Sequence, residues 1–347
     1  MKLHAPVGRR SFLRSLKAML FAAAMGVPAL AAAQAPADLE KLVADAKAEG
    51  EVTIYSAAPE NIVLRISKAF REEYGIEIKY VRISSNQLMQ RFAAEAESNS
   101  IAADLMFIAG GPTPFFKEGV EKGWIAPLKD AGIPVLDDGT FPARFSDGIS
   151  AVVQVAPFLI AYNKDHVSEE DAPKDWPDLL DPKYEGEIIL IDPRASNAFL
   201  DIYAAIQDKY GEEFFQKLVA QQPRRYADGT PATQGLAAGE AALEIPVLPS
   251  MVNELIAKGA PLGQAIPSYT SGVEMHVALT NLEKAKSPAA ARLLANFVMT
   301  EAGNKIFNED PGSASVYDTS QLPAEYVAPV PETVQRKDEL LKLLGFN

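Results

Sequence analysis

The sequence has 347 residues, 33 Lys and Arg against 46 Asp and Glu for a formal net charge of −13, and no cysteine. A hydrophobic share of 48% is too high for a disordered chain, and the length suits two domains of ~100–200 residues each. The acidic balance argues against nucleic acid or an anionic membrane surface as the main partner, and the absent thiols exclude disulfides, thiolate zinc sites, thiol catalysis and a lipidated N-terminal Cys.

The chain opens basic, with Lys2, Arg9, Arg10, Arg14 and Lys17 ahead of any acid. An apolar run from Met19 to Ala33 follows, broken by Gly26 and Pro28, and small residues surround Ala31, Ala33 and Ala35. Basic head, short apolar middle and A-x-A end predict a cleaved export signal over residues 1–35. The run is shorter than the ~20 residues that span a bilayer, so no membrane insertion is expected after cleavage. Arg9-Arg10-Ser11-Phe12-Leu13-Arg14 resembles a twin-arginine export motif, which predicts a periplasmic protein.

From Asp38 the pattern is regular. Leu39, Leu42, Val43 and Ala46 share a helical face that Gly50 stops, and Val52–Ser56 reads as a buried strand. Ile62, Ile66 and Phe70 make 60–74 an amphipathic helix, and the alternation over 76–83 predicts a strand. Ser84, Ser85 and Asn86 offer caps for a helix over 87–97, and 104–109 is a short apolar strand stopped by Gly110 and Gly111. Three strands separated by two helices predict a parallel sheet with right-handed crossovers.

A long apolar extended segment over 149–162, interrupted by Pro157, starts a second series. It predicts a strand at 188–191, a helix at 197–207, a short piece at Arg225 and Tyr226, a helix at 232–238, a strand at 241–246 and a helix at 250–258. A strand at 273–280 and a helix at 288–300 with Pro in its first turn complete it. Two α/β lobes with few linker residues between them suit a ligand cleft between domains.

The mature chain resembles the bacterial extracellular solute-binding proteins of ABC importers, in the ferric-iron-type branch whose members carry iron, phosphonates, sugar phosphates and other small anions. The resemblance rests on Glu51-Val-Thr-Ile-Tyr-Ser56, Asp104–Ala109, Leu159-Ile-Ala-Tyr-Asn-Lys-Asp165, the stretch Trp176–Gly186, Ile191-Asp-Pro-Arg-Ala-Ser196, Gly235-Leu-Ala-Ala-Gly-Glu240 and Pro288–Gly303, in the family's order. It implies a type II periplasmic binding protein fold: two α/β sheets joined by a two-crossing hinge with a ligand cleft between the lobes. Crossings are implied near Val155-Ala-Pro157 and Thr270-Ser-Gly272. The implied lobes are 36–155 with 271–312, and 156–270 with 313–347, the last ~35 residues returning to the second lobe. The implied protein is a monomer whose partners are a small-molecule ligand and an inner-membrane permease.

In open parallel sheets, ligands meet loops at the carboxyl ends of strands and the helix N-termini that follow, where free amides and the helix dipole favour an anion. Four loops qualify: Ser56 with Ala57, Ser84-Ser85-Asn86, Gly110-Gly111, and Arg194-Ala-Ser196-Asn197. Each has a plain alternative as a turn or a cap. Arg194 offers a fork for carboxylate or phosphate, with Arg82 a second candidate cation. Glu244 and Glu274, at strand ends, suit either a ligand amine or hydroxyl or a structural hydrogen bond.

Iron binders of the implied family use two adjacent tyrosines late in the second lobe. The corresponding stretch, Glu244-Ile-Pro-Val-Leu-Pro-Ser250, has none, and ferric ion needs several anionic oxygens, so no metal site is expected. His166 and His276 read as structural. Without H-E-x-x-H, G-x-S-x-G or phosphate-loop motifs, neither catalytic residues nor a cofactor is expected. The reading is a periplasmic receptor for a small anionic organic solute. Its alternatives are a ligand-presenting subunit for a membrane kinase, a ferric-iron binder or an exported enzyme.

Overall fold

The computed structural model describes residues 37–346; the expected signal segment and its twin-arginine motif lie outside them. In chain order the first series runs α1 (Ala37–Glu49), β1 (Glu51–Ser56), α2 (Glu60–Tyr74), β2 (Glu77–Arg82), α3 (Ser85–Glu97), β3 (Leu105–Ala109), α4 (Thr113–Glu121), β4 (Ile125–Ala126), α5 (Pro134–Asp137) and β5 (Ala151–Pro157). The predicted face of α2 is the buried one, through Ile62, Ile66 and Phe70. Gly75 ends that helix at φ 76°, a left-handed turn that favours glycine, with its N–H donating to Arg71 O.

The second series is β6 (Leu159–Asn163), β7 (Ile188–Ile191), α6 (Asn197–Ala220), β8 (Arg224–Tyr226), α7 (Gly229–Ala237), β9 (Leu243–Val247), α8 (Pro249–Ala257) and β10 (Leu262–Ala265). The helix expected over 197–207 runs on to Ala220. It breaks at Gly211 (φ 75°, ψ 175°), and Phe214, Phe215 and Leu218 bury a new face beyond the break. The chain then crosses back through β11 (Tyr269–Thr270) and β12 (Gly272–Thr280), and ends in α9 (Pro288–Met299), α10 (Glu301–Phe307), β13 (Glu325–Tyr326) and α11 (Lys337–Leu344).

These strands form two main sheets. The first has the order β2-β1-β3-β12-β4, with β5 also on β12; the second has β10-β6-β9-β7-β8. β2, β1 and β3 are parallel, as the alternating elements predict. β12 enters antiparallel to β3 and β5 because it re-enters the lobe that β5 leaves. One core packs α1, α2, α9 and α10 on the first sheet, a second fills its other face around Phe92 and Phe116, and a third fills the second lobe around Trp176, Tyr203 and Phe215.

The crossings lie side by side. Phe158 N–H donates to Ser271 O at 2.9 Å, and Thr270 Oγ1 donates to Phe158 O at 3.1 Å. A Cβ on Gly272 would stand 2.6 Å from Ala156 O, so the strands approach this closely only with glycine there. A switch to the second lobe at 313 comes too early. Ala314 bridges to Val155 and, with Val316, is buried in the first core, because the segment pairs with the outgoing strand first. β13 then pairs with β11, and Leu340, Leu344 and Phe346 complete the second core.

Candidate functional site

A cleft of about 430 Å³ lies where the lobes meet. Ser84, Ser85, Asn86, Ala109 and Gly110 line it from the first lobe. Phe158, the run from Arg194 to Phe199, Asp228, Gly229, Leu248 and Met251 line it from the second, with Val273 just past the return crossing.

Helix starts build most of this lining. Ser84 caps α3, its Oγ accepting the Gln87 N–H at 3.5 Å, and Ser85 Oγ accepts the Ala109 N–H at 3.1 Å, which ties the start of α3 to the end of β3. Gly110 has φ 79° and open space where a side chain would stand, so backbone borders the cleft there. Across the cleft, Ser196 Oγ accepts the Ala198 N–H at 3.3 Å to open α6, and Asp228 Oδ1 accepts the Thr230 N–H at 2.9 Å to open α7. Three helix N-termini from both lobes therefore meet one cavity. Each presents amide donors and the positive end of a dipole.

Charge is more balanced than the sequence suggests. Arg194 lines the cleft, but Asp192 holds its guanidinium, Nη2 to Oδ2 at 2.6 Å and Nε to both carboxylate oxygens at 3.0 Å. Asp192 also accepts the Arg194 N–H at 2.8 Å, which fixes the loop before α6. Phe158 and Phe199, with ring centroids 5.5 Å apart, supply apolar surface together with Leu248 and Met251.

Seven of the twelve expected residues thus meet at one place: Ser84, Ser85, Asn86, Gly110, Arg194, Ser196 and Asn197. Five do not line it. Ser56 is fully buried, its Oγ accepting the Ala58 N–H at 3.1 Å, and Ala57 gives its N–H to Phe107 O, so that loop is used inside the first lobe. Gly111 turns beyond the lining at φ 75°. Glu244 is fully buried against Thr233 of α7, and burial pushes its carboxyl up to about 8.

Glu274 is half-buried beside the crossing, where desolvation raises it and Tyr326 donates to its Oε1 at 3.0 Å. Arg82 gives its Nε–H to Ala58 O rather than to the cleft. His276 is buried and held down to about 4 by that burial, so its 3.7 Å approach to Glu274 is not an ion pair at neutral pH. His166 lies elsewhere on the second lobe, 3.7 Å from Glu187.

Residue-by-residue reading missed Phe158, Phe199, Asp228, Gly229, Leu248, Met251 and Val273. Asp228 carried a usable signal, since Asp directly before a helical stretch is a cap as well as a turn residue. The apolar members carried none, because a wall of a cleft and a core position look alike in a strand or helix.

The fold is the two-lobe type II fold of periplasmic binding proteins. The family described as bacterial extracellular solute-binding protein matches residues 65–332, and the chain belongs to it. Solved structures are similar over most of the chain. The substrate binding protein of the ABC transporter from Agrobacterium tumefaciens has a TM-score of 0.67 at 15% identity, over 85% of this chain and 94% of that one. The ferric iron-binding protein A of Mannheimia haemolytica, in an open conformation, has 0.66 at 17%, over 85% and 98%. The periplasmic binding protein AfuA from Actinobacillus pleuropneumoniae, with fructose 6-phosphate bound, has 0.59 at 21%, over 86% and 99%. Among the described residues no helix is long and apolar enough to cross a membrane, and no three His, Cys, Asp or Glu side chains gather as a metal ion would need.

Proposed function

We propose that this chain is the periplasmic receptor of an ABC importer, and that it captures a small anionic organic solute between Ser84–Asn86 and Gly110 of one lobe and Arg194–Asn197 and Gly229 of the other. The observation that carries this is the convergence of the α3, α6 and α7 N-termini on one cleft, because their free amides and dipoles favour negative charge. Phe158, Phe199 and Met251 give the uncharged part of such a solute an apolar seat.

Ligand exchange needs the cleft to open at the paired crossings, and bound ligand favours the closed arrangement that the permease reads. The receptor makes and breaks no bond in its ligand. Ferric ion suits some proteins of this fold, but this cleft offers one carboxylate, Asp228, already spent on Thr230, and no phenolate among its lining residues.

Calorimetry against phosphonates, sugar phosphates and small carboxylates tests the reading. Saturable binding of at least one anion, weakened by salt, is the expected result. Tight binding confined to neutral sugars, amines or ferric ion overturns it.

A further inference from the structure

Glu244 lies in β9, the central strand of the second sheet, with β6 and β7 on either side. It is fully buried, and its Oε2 meets no hydrogen-bonding group among the described residues. Its Oε1 stands 2.9 Å from Thr233 Oγ1, and that same hydroxyl stands 2.9 Å from Gly229 O, one turn earlier in α7.

A hydroxyl carries one proton and here faces two oxygens. If Glu244 is ionised, both are acceptors, and one contact has no proton to share while a bare carboxylate oxygen sits in apolar surroundings. If Glu244 is a carboxylic acid, it donates to Thr233, Thr233 donates to Gly229 O, and every proton has a partner. The geometry selects the neutral form, and the burial that lifts Glu244 to about 8 agrees with it.

We propose that Glu244 is a positioning residue of the cleft: it stands protonated, donates to Thr233, and through that hydroxyl fixes the first turn of α7, whose start at Gly229 borders the ligand. For its effect on affinity this rests on the anion reading above. A neutral Glu244 adds no second negative charge near the positive end of α7, where Asp228 already caps the helix. Once ionised, it loses the relay and sets a negative charge about one helical turn behind the binding amides, ~6 Å along the axis.

The groups facing Glu244 do not replace its proton. Tyr203 from α6 gives its hydroxyl to Ile191 O, Tyr226 from β8 gives its hydroxyl to Glu240, and Asp192 is held by Arg194. The strand partners Ala161 and Ile189 bring no charge.

The test has a ligand-free arm and a ligand arm. Infrared difference spectra of wild type against Glu244→Gln should show a neutral carboxyl band at neutral pH that the substitution removes and alkali titrates away. Calorimetry with inorganic phosphate and with fructose 6-phosphate, between about pH 6 and about pH 9, should show wild-type affinity falling on the order of tenfold. That is the effect of one charge roughly 10 Å from the anion at an effective dielectric near 20. Glu244→Gln, which still donates to Thr233, should flatten this profile, whereas Glu244→Leu should weaken binding at every pH. If neither probe binds either protein but the infrared band behaves as stated, the relay stands and phosphate is excluded as the ligand's anionic group. A carboxylate band at neutral pH, or an alkaline fall that persists in Glu244→Gln, overturns the relay.

Discussion

The two walls of the cleft are built differently. The first lobe offers short neutral groups, Ser84, Ser85, Asn86 and the bare backbone at Gly110, and part of their hydrogen bonding is already spent in tying α3 to β3. The second offers charge and apolar surface, but Asp192 offsets Arg194 and α7 takes up Asp228. Neither wall holds a bare side-chain charge aimed at the ligand. What they share is helix N-termini, so under the proposed function the backbone, not one arginine, carries most of any preference for an anion.

A parallel contrast runs through the sheets, and it gives the largest predicted effect. Each sheet holds a buried acid or base in an inner strand, His276 in β12 of the first and Glu244 in β9 of the second. Burial holds both neutral and moves them in opposite directions, His276 down to about 4 against a slight upward pull from Asp147, and Glu244 up to about 8. For the imidazole the folded value lies below the unfolded one, so as acidity rises the unfolded chain takes the proton first. The stability His276 supplies above its unfolded range is lost as pH falls toward about 4, by up to about 3 kcal/mol.

For the carboxyl the order is reversed, and its contribution is lost as pH climbs toward about 8. Urea melts across this range should show acid weakening that His276→Gln removes and that Glu244→Gln leaves in place. An acid limb that survives in His276→Gln breaks the contrast.

The next effect sharpens the comparison between the walls. Arg194→Gln takes away a charge that is half spent and leaves Asp192, whose side chain is only 8% exposed, without its partner. Anion affinity should drop about tenfold, within the range for one hydrogen bond to a charged group. Asp192→Asn, which frees the guanidinium, should lose less and should steepen the salt dependence. Calorimetry at low and high ionic strength checks both. If Arg194→Gln binds like the wild type, the second wall is as neutral in effect as the first.

How much of this was readable from residues alone divides along the same line. The order of strands and helices was legible because apolar spacing switches cleanly between periods of two and 3.6 and because glycines mark the ends, as at Gly50, Gly75 and Gly110. The loops of Ser84 and Arg194 were legible because capping residues announce helix starts. Ser56 was misplaced because nothing in its neighbours shows that β1 runs between β2 and β3, with the loop beyond it turned onto Phe107. Glu244 stayed open between ligand contact and structural hydrogen bond because β9 is buried along its whole length, so alternation cannot tell the face under α7 from the face toward a cleft. Phe158 and Met251 became site residues only when the lobes met.

The smallest effect separates the two capping serines. Ser196 opens the long α6 with a 3.3 Å bond to the Ala198 N–H, while Ser84 reaches the Gln87 N–H at 3.5 Å and gives its own proton to Gln87 Oε1 at 3.0 Å. Ser196→Ala should cost about 1 kcal/mol in a urea melt, the usual worth of an N-cap, and Ser84→Ala less, because its cap bond is at the limit of hydrogen-bond length. Binding should reverse the order of importance. In Ser84→Ala a hydroxyl that serves the helix weakly is lost to the ligand, whereas in Ser196→Ala the helix loses first. Equal stability costs for the two, or a binding loss confined to Ser196→Ala, would mean that the first-lobe serines are structural caps and that the second wall alone selects the ligand.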